Sequence, residues 1–82
     1  MTQPEALHLV EQTLRVTFKD PGLVIDRSTT ADDIDGWDSL SHAVLMMRLE
    51  KNFNVRIPAS TATSFRNIGE LVDSLVELSA GQ

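Results

Sequence analysis

Apolar residues recur along this chain at three- and four-residue intervals in three separate runs, each bounded by residues that start or stop helices. In the first run, Leu7, Val10, Leu14 and Phe18 keep helical spacing, and Ala6 and Leu9 widen the stripe. Thr2 and Glu5 stand at capping-box spacing, with Pro4 tolerated in the first turn. Asp20-Pro21-Gly22 breaks the pattern, so this helix is expected to end near Lys19. The second run predicts a helix from Ser39 to Asn52, with Asp38 as N-cap and Asn54 in the left-handed conformation that closes it. Its apolar residues fall on two lines. Leu45, Met46, Leu49 and Phe53 are assigned to the core, and Leu40, Val44 and Met47 run beside Ser39. In the third run, Ile68, Leu71, Val72, Leu75 and Val76 give a last helix its apolar face, behind a start signal at Asn67 and Glu70. Residues 79–82 are expected to fray.

The connections differ in kind. Residues 20–38 form a longer link than most compact domains use, which points to function or disorder. Leu23, Val24, Ile25 and Ile34 are expected to pin it across the bundle as an ordered loop. Between Pro58 and Arg66 the residues are small and β-branched, which predicts only a short helical turn around Ser60–Phe65. The expected fold is all-α: an up-down four-helix bundle of three main helices and one short one, with a long ordered loop between helices 1 and 2. One domain over residues 1–82 is expected, with Leu7, Val10, Leu14, Leu45, Leu49, Phe53, Ile68, Leu71 and Leu75 in its core.

Composition narrows the function. Eighty-two residues without a cysteine must fold on an apolar core alone, and the 41% of apolar residues suffices to build one. Seven Lys and Arg against twelve Asp and Glu leave a net charge of −5, which disfavours nucleic-acid binding and suits steering toward basic partner surfaces. Met1-Thr2-Gln3-Pro4-Glu5 lacks the basic region and apolar run of a signal peptide, and no apolar stretch approaches the roughly 20 residues of a membrane span. A cytoplasmic monomer is expected.

The residues with chemistry gather around Gly36-Trp37-Asp38-Ser39-Leu40, where one hydroxyl sits between an acidic turn and the first turn of a helix. A serine nucleophile needs a neighbouring base held by a third group. His8 has no sequence link to Ser39, and a His42 pair on one exposed helical turn would lack both the third group and a water-excluding pocket. Ser39 therefore reads as a substrate for another enzyme, or as an ordinary exposed serine in the first turn of a helix, and not as a catalyst. Asp32, Asp33 and Asp35 before Gly36 suggest a calcium loop, but in that register Ala31 takes the first position and His42 the last, where a bidentate Glu is required. No dedicated metal site is expected. Trp37 packs against the bundle or stands partly exposed for a partner.

The stretch from Gly36 to Pro58 resembles the acyl carrier protein family. Asp38-Ser39-Leu40 matches its motif, Leu45, Leu49 and Phe53 fall on its apolar helix positions, and Glu50-Lys51 leads to Ile57-Pro58 as its closing Ile-Pro. Phe65 and Ile68 match later apolar positions, and the pattern extends over residues 5–78. The resemblance implies a non-catalytic carrier with 4'-phosphopantetheine on Ser39, flanked by Asp38 and Leu40. The arm would be donated by coenzyme A through a phosphopantetheinyl transferase. Acyl groups would be held as thioesters for loading and processing enzymes of a fatty-acid-like, polyketide or other specialised pathway. An aminoacyl or peptidyl carrier, and a helical interaction module without a prosthetic group, are the alternatives. Met46 and Met47 are flexible enough to adapt a core to an acyl chain, or simply pack in it. Conventional fatty-acid members carry a small residue in place of Trp37 and a glutamate-rich helix after the serine. Here Glu50 stands against Arg48 and Lys51, so residues 39–53 carry a net charge of +1. The acids lie instead in the preceding loop. Trp37, Leu40, Val44 and Met47 are the expected docking residues for dedicated partners.

Overall fold

Thr2 starts the first helix as its spacing predicts: its hydroxyl accepts from the Glu5 amide and the Glu5 carboxylate accepts from the Thr2 amide, at 3.3 and 3.0 Å. The computed structural model describes residues 1–81. Helix α1 spans Gln3–Thr17, α2 Ser39–Phe53, α3 Ala59–Ser64 and α4 Ile68–Ala80, with a single 3-10 turn at Ala31–Asp33. The architecture is the expected all-helical one of four helices, without strands among the described residues. The chain leaves α1 through Lys19, whose φ of 54° lets the Asp20 amide reach back to the Arg15 carbonyl at 3.0 Å. Asn54, at φ 54° and ψ 49°, closes α2 in the left-handed conformation.

Helix α1 packs against both α2 and α4. Val10 and Leu14 meet Leu45, Leu49 and Phe53 on one side and Ile68, Leu71, Val72 and Leu75 on the other in one buried cluster. Thr13 is buried among them because its hydroxyl is satisfied twice, donating to the Leu9 carbonyl at 2.8 Å and accepting from Asn52 Nδ2 at 2.9 Å.

Three expectations are corrected. Leu7 is half-buried rather than central, because the buried face of α1 is centred on Ala6, Val10, Thr13 and Leu14 and leaves Leu7 at its edge beside Pro4 and Arg27. Val24 is 78% exposed. The chain is extended there, so side chains alternate: Leu23 and Ile25 turn inward and Val24 outward. Met47 is exposed and only Met46 lies in the core. Helix α4 continues through Ser79 and Ala80 while Leu78 packs on the core; Gln82, expected to fray with them, lies outside the described residues.

The long loop is ordered by hydrogen bonds at both ends of the bundle. Glu11 Oε2 accepts from the Ile25 amide at 3.0 Å and Arg15 Nε donates to the Leu23 carbonyl at 2.7 Å, tying it to α1. The Ile68 and Gly69 amides, which have no partner within α4, donate to the Thr29 and Arg27 carbonyls at 2.8 Å each. The Arg27 guanidinium then grips both Asp73 oxygens, at 3.0 and 2.8 Å.

Gly69 is required by this approach, since a Cβ there would lie 2.9 Å from the Arg27 carbonyl oxygen and 3.1 Å from its Cβ. Gly69→Ala is therefore expected to destabilise the protein by about 1–3 kcal/mol despite its gain in helix propensity, read as a lowered denaturant midpoint. An unchanged or raised midpoint would show that the loop does not need this contact.

Candidate functional site

Asp38 and Ser41 build the start of α2. Asp38 is extended, at φ −130°, and its carboxylate accepts from the Ser41 amide at 2.9 Å, while Ser41 Oγ accepts from the Asp38 amide at 2.8 Å. Ser41 Oγ also lies 2.9 Å from the Gly36 carbonyl, to which it donates. The hydrogen bonds at the Ser41 amide and hydroxyl hold the Asp38 carboxyl below the usual carboxylate range. Ser41 is thus fully committed to the cap. Ser39, one residue into the helix, is exposed and its hydroxyl makes no hydrogen bond among the described residues.

Behind the serine, an aromatic cluster fixes the turn. Gly36, at φ 87°, lets the chain reverse so that Trp37 points back into the bundle. The Trp37 ring lies 5.5 Å from Phe18 at the end of α1, 6.0 Å from His42 on α2 and 6.3 Å from Phe65 after α3. His42 stacks on Phe65 at 5.9 Å. Its Nε2 donates to the Ala62 carbonyl at 2.8 Å and its Nδ1 accepts the Trp37 indole N–H at 3.1 Å. Both ring nitrogens are occupied, so His42 cannot serve Ser39 as a base. It is a brace between α2 and α3.

Leu40 is 76% and Met47 68% exposed on the outer face of α2, with Val44 half-buried between them. Trp37 is half-buried with its N–H engaged, so of the four expected docking residues it stiffens the junction while the other three offer surface. The loop carboxylates serve local turns. Asp26 accepts from the Ser28 hydroxyl and amide at 2.6 and 2.8 Å, which holds its carboxyl below the usual carboxylate range, and Asp33 accepts from the Thr30 amide at 2.9 Å. No group of three or more potential metal ligands occurs among the described residues.

The family model described as "Phosphopantetheine attachment site" matches residues 7–75, which take in α2 and α3 whole and most of α1 and α4. The chain belongs to the acyl carrier protein family. It is 33% identical over 61 residues to the acyl carrier protein of Caulobacter vibrioides, in each of two strains, covering 74% of this chain and 77% of that one. The solution NMR structure of the holo acyl carrier protein from Geobacter metallireducens superposes with a TM-score of 0.85 at 33% identity, over 93% of this chain and 87% of that one. As a member, the protein is a non-catalytic carrier with a covalently attached 4'-phosphopantetheine arm. The site suits such a group: an unengaged, exposed hydroxyl stands at a helix N-terminus, where the dipole favours a phosphodiester. Among the described residues, no helix of this carrier is long and apolar enough to cross a membrane.

The roles of Ser41 and His42 were not visible in the sequence. Ser41 occupies the capping-box position usually held by Glu or Gln, and the three-residue spacing from Asp38 was the available signal. The His42 brace depends on Ala62, twenty residues away, and leaves no local pattern.

Because folding lowers the pKa of Asp38, its cap contributes fully above the ordinary carboxylate range and is lost as pH falls through the lowered value. Asp38→Asn keeps a good N-cap without the charge. The variant is expected to lose less stability between neutral and acid pH than the parent, measured as denaturant midpoint against pH. Parallel profiles would remove Asp38 from the acid response.

Proposed function

We propose that this protein carries acyl intermediates in a dedicated biosynthetic pathway, with the phosphopantetheine arm on Ser39. In a reaction catalysed by a phosphopantetheinyl transferase, the Ser39 oxygen loses its proton and attacks the pyrophosphate of coenzyme A, forming the phosphodiester of the arm and releasing adenosine 3',5'-bisphosphate. When attached, the arm supplies a thiol that holds the acyl group as a thioester. The observation that carries the choice of Ser39 is the contrast with its neighbour: Ser41 Oγ is held by Gly36 and Asp38, whereas the Ser39 hydroxyl is exposed and unengaged. The chain contains no cysteine, so any thiol it uses comes with the arm. Leu40, Val44 and Met47 offer enzymes an apolar foothold that runs from beside Ser39 to just over two turns beyond it.

Intact mass after incubation with coenzyme A and a permissive transferase is expected to show one phosphopantetheinyl group. Ser39→Ala is expected to keep its helical circular dichroism and gain none. An adduct on Ser41, or none with several transferases, would overturn the assignment.

The dedicated pathway is supported by the charge of α2, where Arg48 and Lys51 outnumber Glu50 on the helix that flanks the arm. A partner built for a carboxylate-rich helix meets like charges here. Elongation of the acylated protein by a housekeeping fatty-acid ketosynthase is expected to fall on the order of tenfold or more below that of a conventional carrier in kcat/KM. Equal efficiency would defeat the specialised reading.

A further inference from the structure

Lys19, Arg48 and Lys51 gather around a groove that contains no carboxylate. Gln12, Thr13 and Val16 of α1 face Arg48, Lys51 and Asn52 of α2 across a cleft of about 330 Å³. A second hollow of about 360 Å³ shares Gln12 and Val16 and continues to Arg15, Lys19 and Pro21. Arg15 is neutralised by Glu11 at 3.3 Å, but Lys19, Arg48 and Lys51 form no ion pair among the described residues. The nearest acids in sequence are engaged elsewhere: Glu11 with Arg15 and the Ile25 amide, Asp20 with the Gly22 amide, and Glu50 with the Ile57 amide. Val16, shared by both hollows, is 65% exposed.

This concentration of positive charge is local. Residues 20–38 hold six carboxylates against Arg27 alone, so the net −5 of the chain resides there and the remaining residues balance, six against six. Three unpaired cations around an exposed valine repel one another in the free protein and complement an anionic surface. Each hollow has room for one or two side chains. Arg48 lies one turn beyond Val44 and Lys51 one turn beyond Met47, so the groove continues the apolar line that begins at Leu40. By helical rise, Arg48 is roughly 14 Å from Ser39 along the axis.

We infer that this groove docks an acidic segment of a partner protein, which seats one apolar side chain against Val16 and sets carboxylates on Lys19, Arg48 and Lys51. The inference rests on the carrier reading only in taking that partner to be an enzyme that works on the arm. A partner reaching along α2 from Ser39 arrives at this groove, so the same contact that brings the reacting centre near the arm selects by charge.

The test is a titration of the full ¹⁵N-labelled chain with a helical peptide bearing one leucine flanked by glutamates. Its lysine counterpart and a short oligothymidylate serve as controls. Saturable shifts are expected at Gln12, Val16, Lys19, Arg48 and Lys51 with the glutamate peptide and not with the lysine one. The double variant Arg48→Glu/Lys51→Glu is expected to weaken binding about fivefold or more, and Arg48→Gln/Lys51→Gln and Val16→Ser by smaller factors. All these positions are exposed, and circular dichroism verifies the fold of each variant. Absent or non-saturable binding, shifts centred elsewhere, or equal binding of the oligothymidylate would overturn the inference. The mass of the Ser39 adduct is read separately, so the groove and the carrier reading can fail independently.

Discussion

Two amides that α4 cannot satisfy within itself hold the long connection between α1 and α2 in place. Ile68 and Gly69 donate to Thr29 and Arg27, and the close approach this demands leaves no room for a side chain at residue 69. A helix N-terminus and a loop, each with unpaired backbone groups, complete one another. Once residues 27–29 are fixed, the chain to Gly36 is short, and Ile34 drops into the core on the way. The position of Gly36 then sets the direction from which Trp37 enters the bundle and hence where α2 begins. The exposed serine is thus located by contacts at the far side of the molecule.

At the serine itself, rigidity and freedom are divided between neighbouring residues. Asp38 and Ser41 close the cap, and Trp37 and His42 brace the turn against Phe18 and Phe65, leaving Ser39 and Leu40 exposed on a fixed frame. Helix α3 contrasts with this frame. None of its residues is buried and it has no side-chain cap, so its attachment depends on the His42 bond to Ala62 and on the packing of Ala62 and the adjoining Phe65. Few buried contacts and one cross-helix bond place α3 at the low end of local stability. The helix facing the start of α2, where Ser39 is exposed, is the one held by the fewest buried contacts.

Periodicity made the three long helices legible because each buries a single stripe and ends on a chemically marked residue: Thr2, Asp38, Asn54 and Asn67. The exposure of Ser39 was legible from its place in the first turn after the Asp38 cap. What escaped was tertiary. Val24 looked like core because it is apolar, and only the extended backbone, held by Glu11 and Arg15 on either side, turns it outward. Leu7 fits the stripe by spacing, yet Thr13 takes the central place because Asn52 on another helix satisfies its hydroxyl. His42 read as an exposed neighbour of Ser39 because its partners are a tryptophan before the helix and a carbonyl twenty residues later.

Charge on this carrier is segregated along the path a partner would follow. The loop before Ser39 holds the whole net negative charge, and the far half of α2 with the end of α1 presents unpaired cations. A uniformly acidic surface attracts any basic partner in many orientations, whereas a dipolar one orients the approaching molecule before contact. The apolar residues Leu40, Val44 and Met47 lie between the two poles, so the orientation that satisfies both charges also buries this line. Exposed charges of this kind contribute little to affinity singly, being screened beyond about 8–10 Å at physiological salt. Their effect is on encounter and on exclusion: a partner with a basic patch facing Arg48 and Lys51 is repelled at the moment its apolar contacts would form. Selectivity for a dedicated enzyme can therefore reside in α2 and the groove beside it, apart from the serine and its cap.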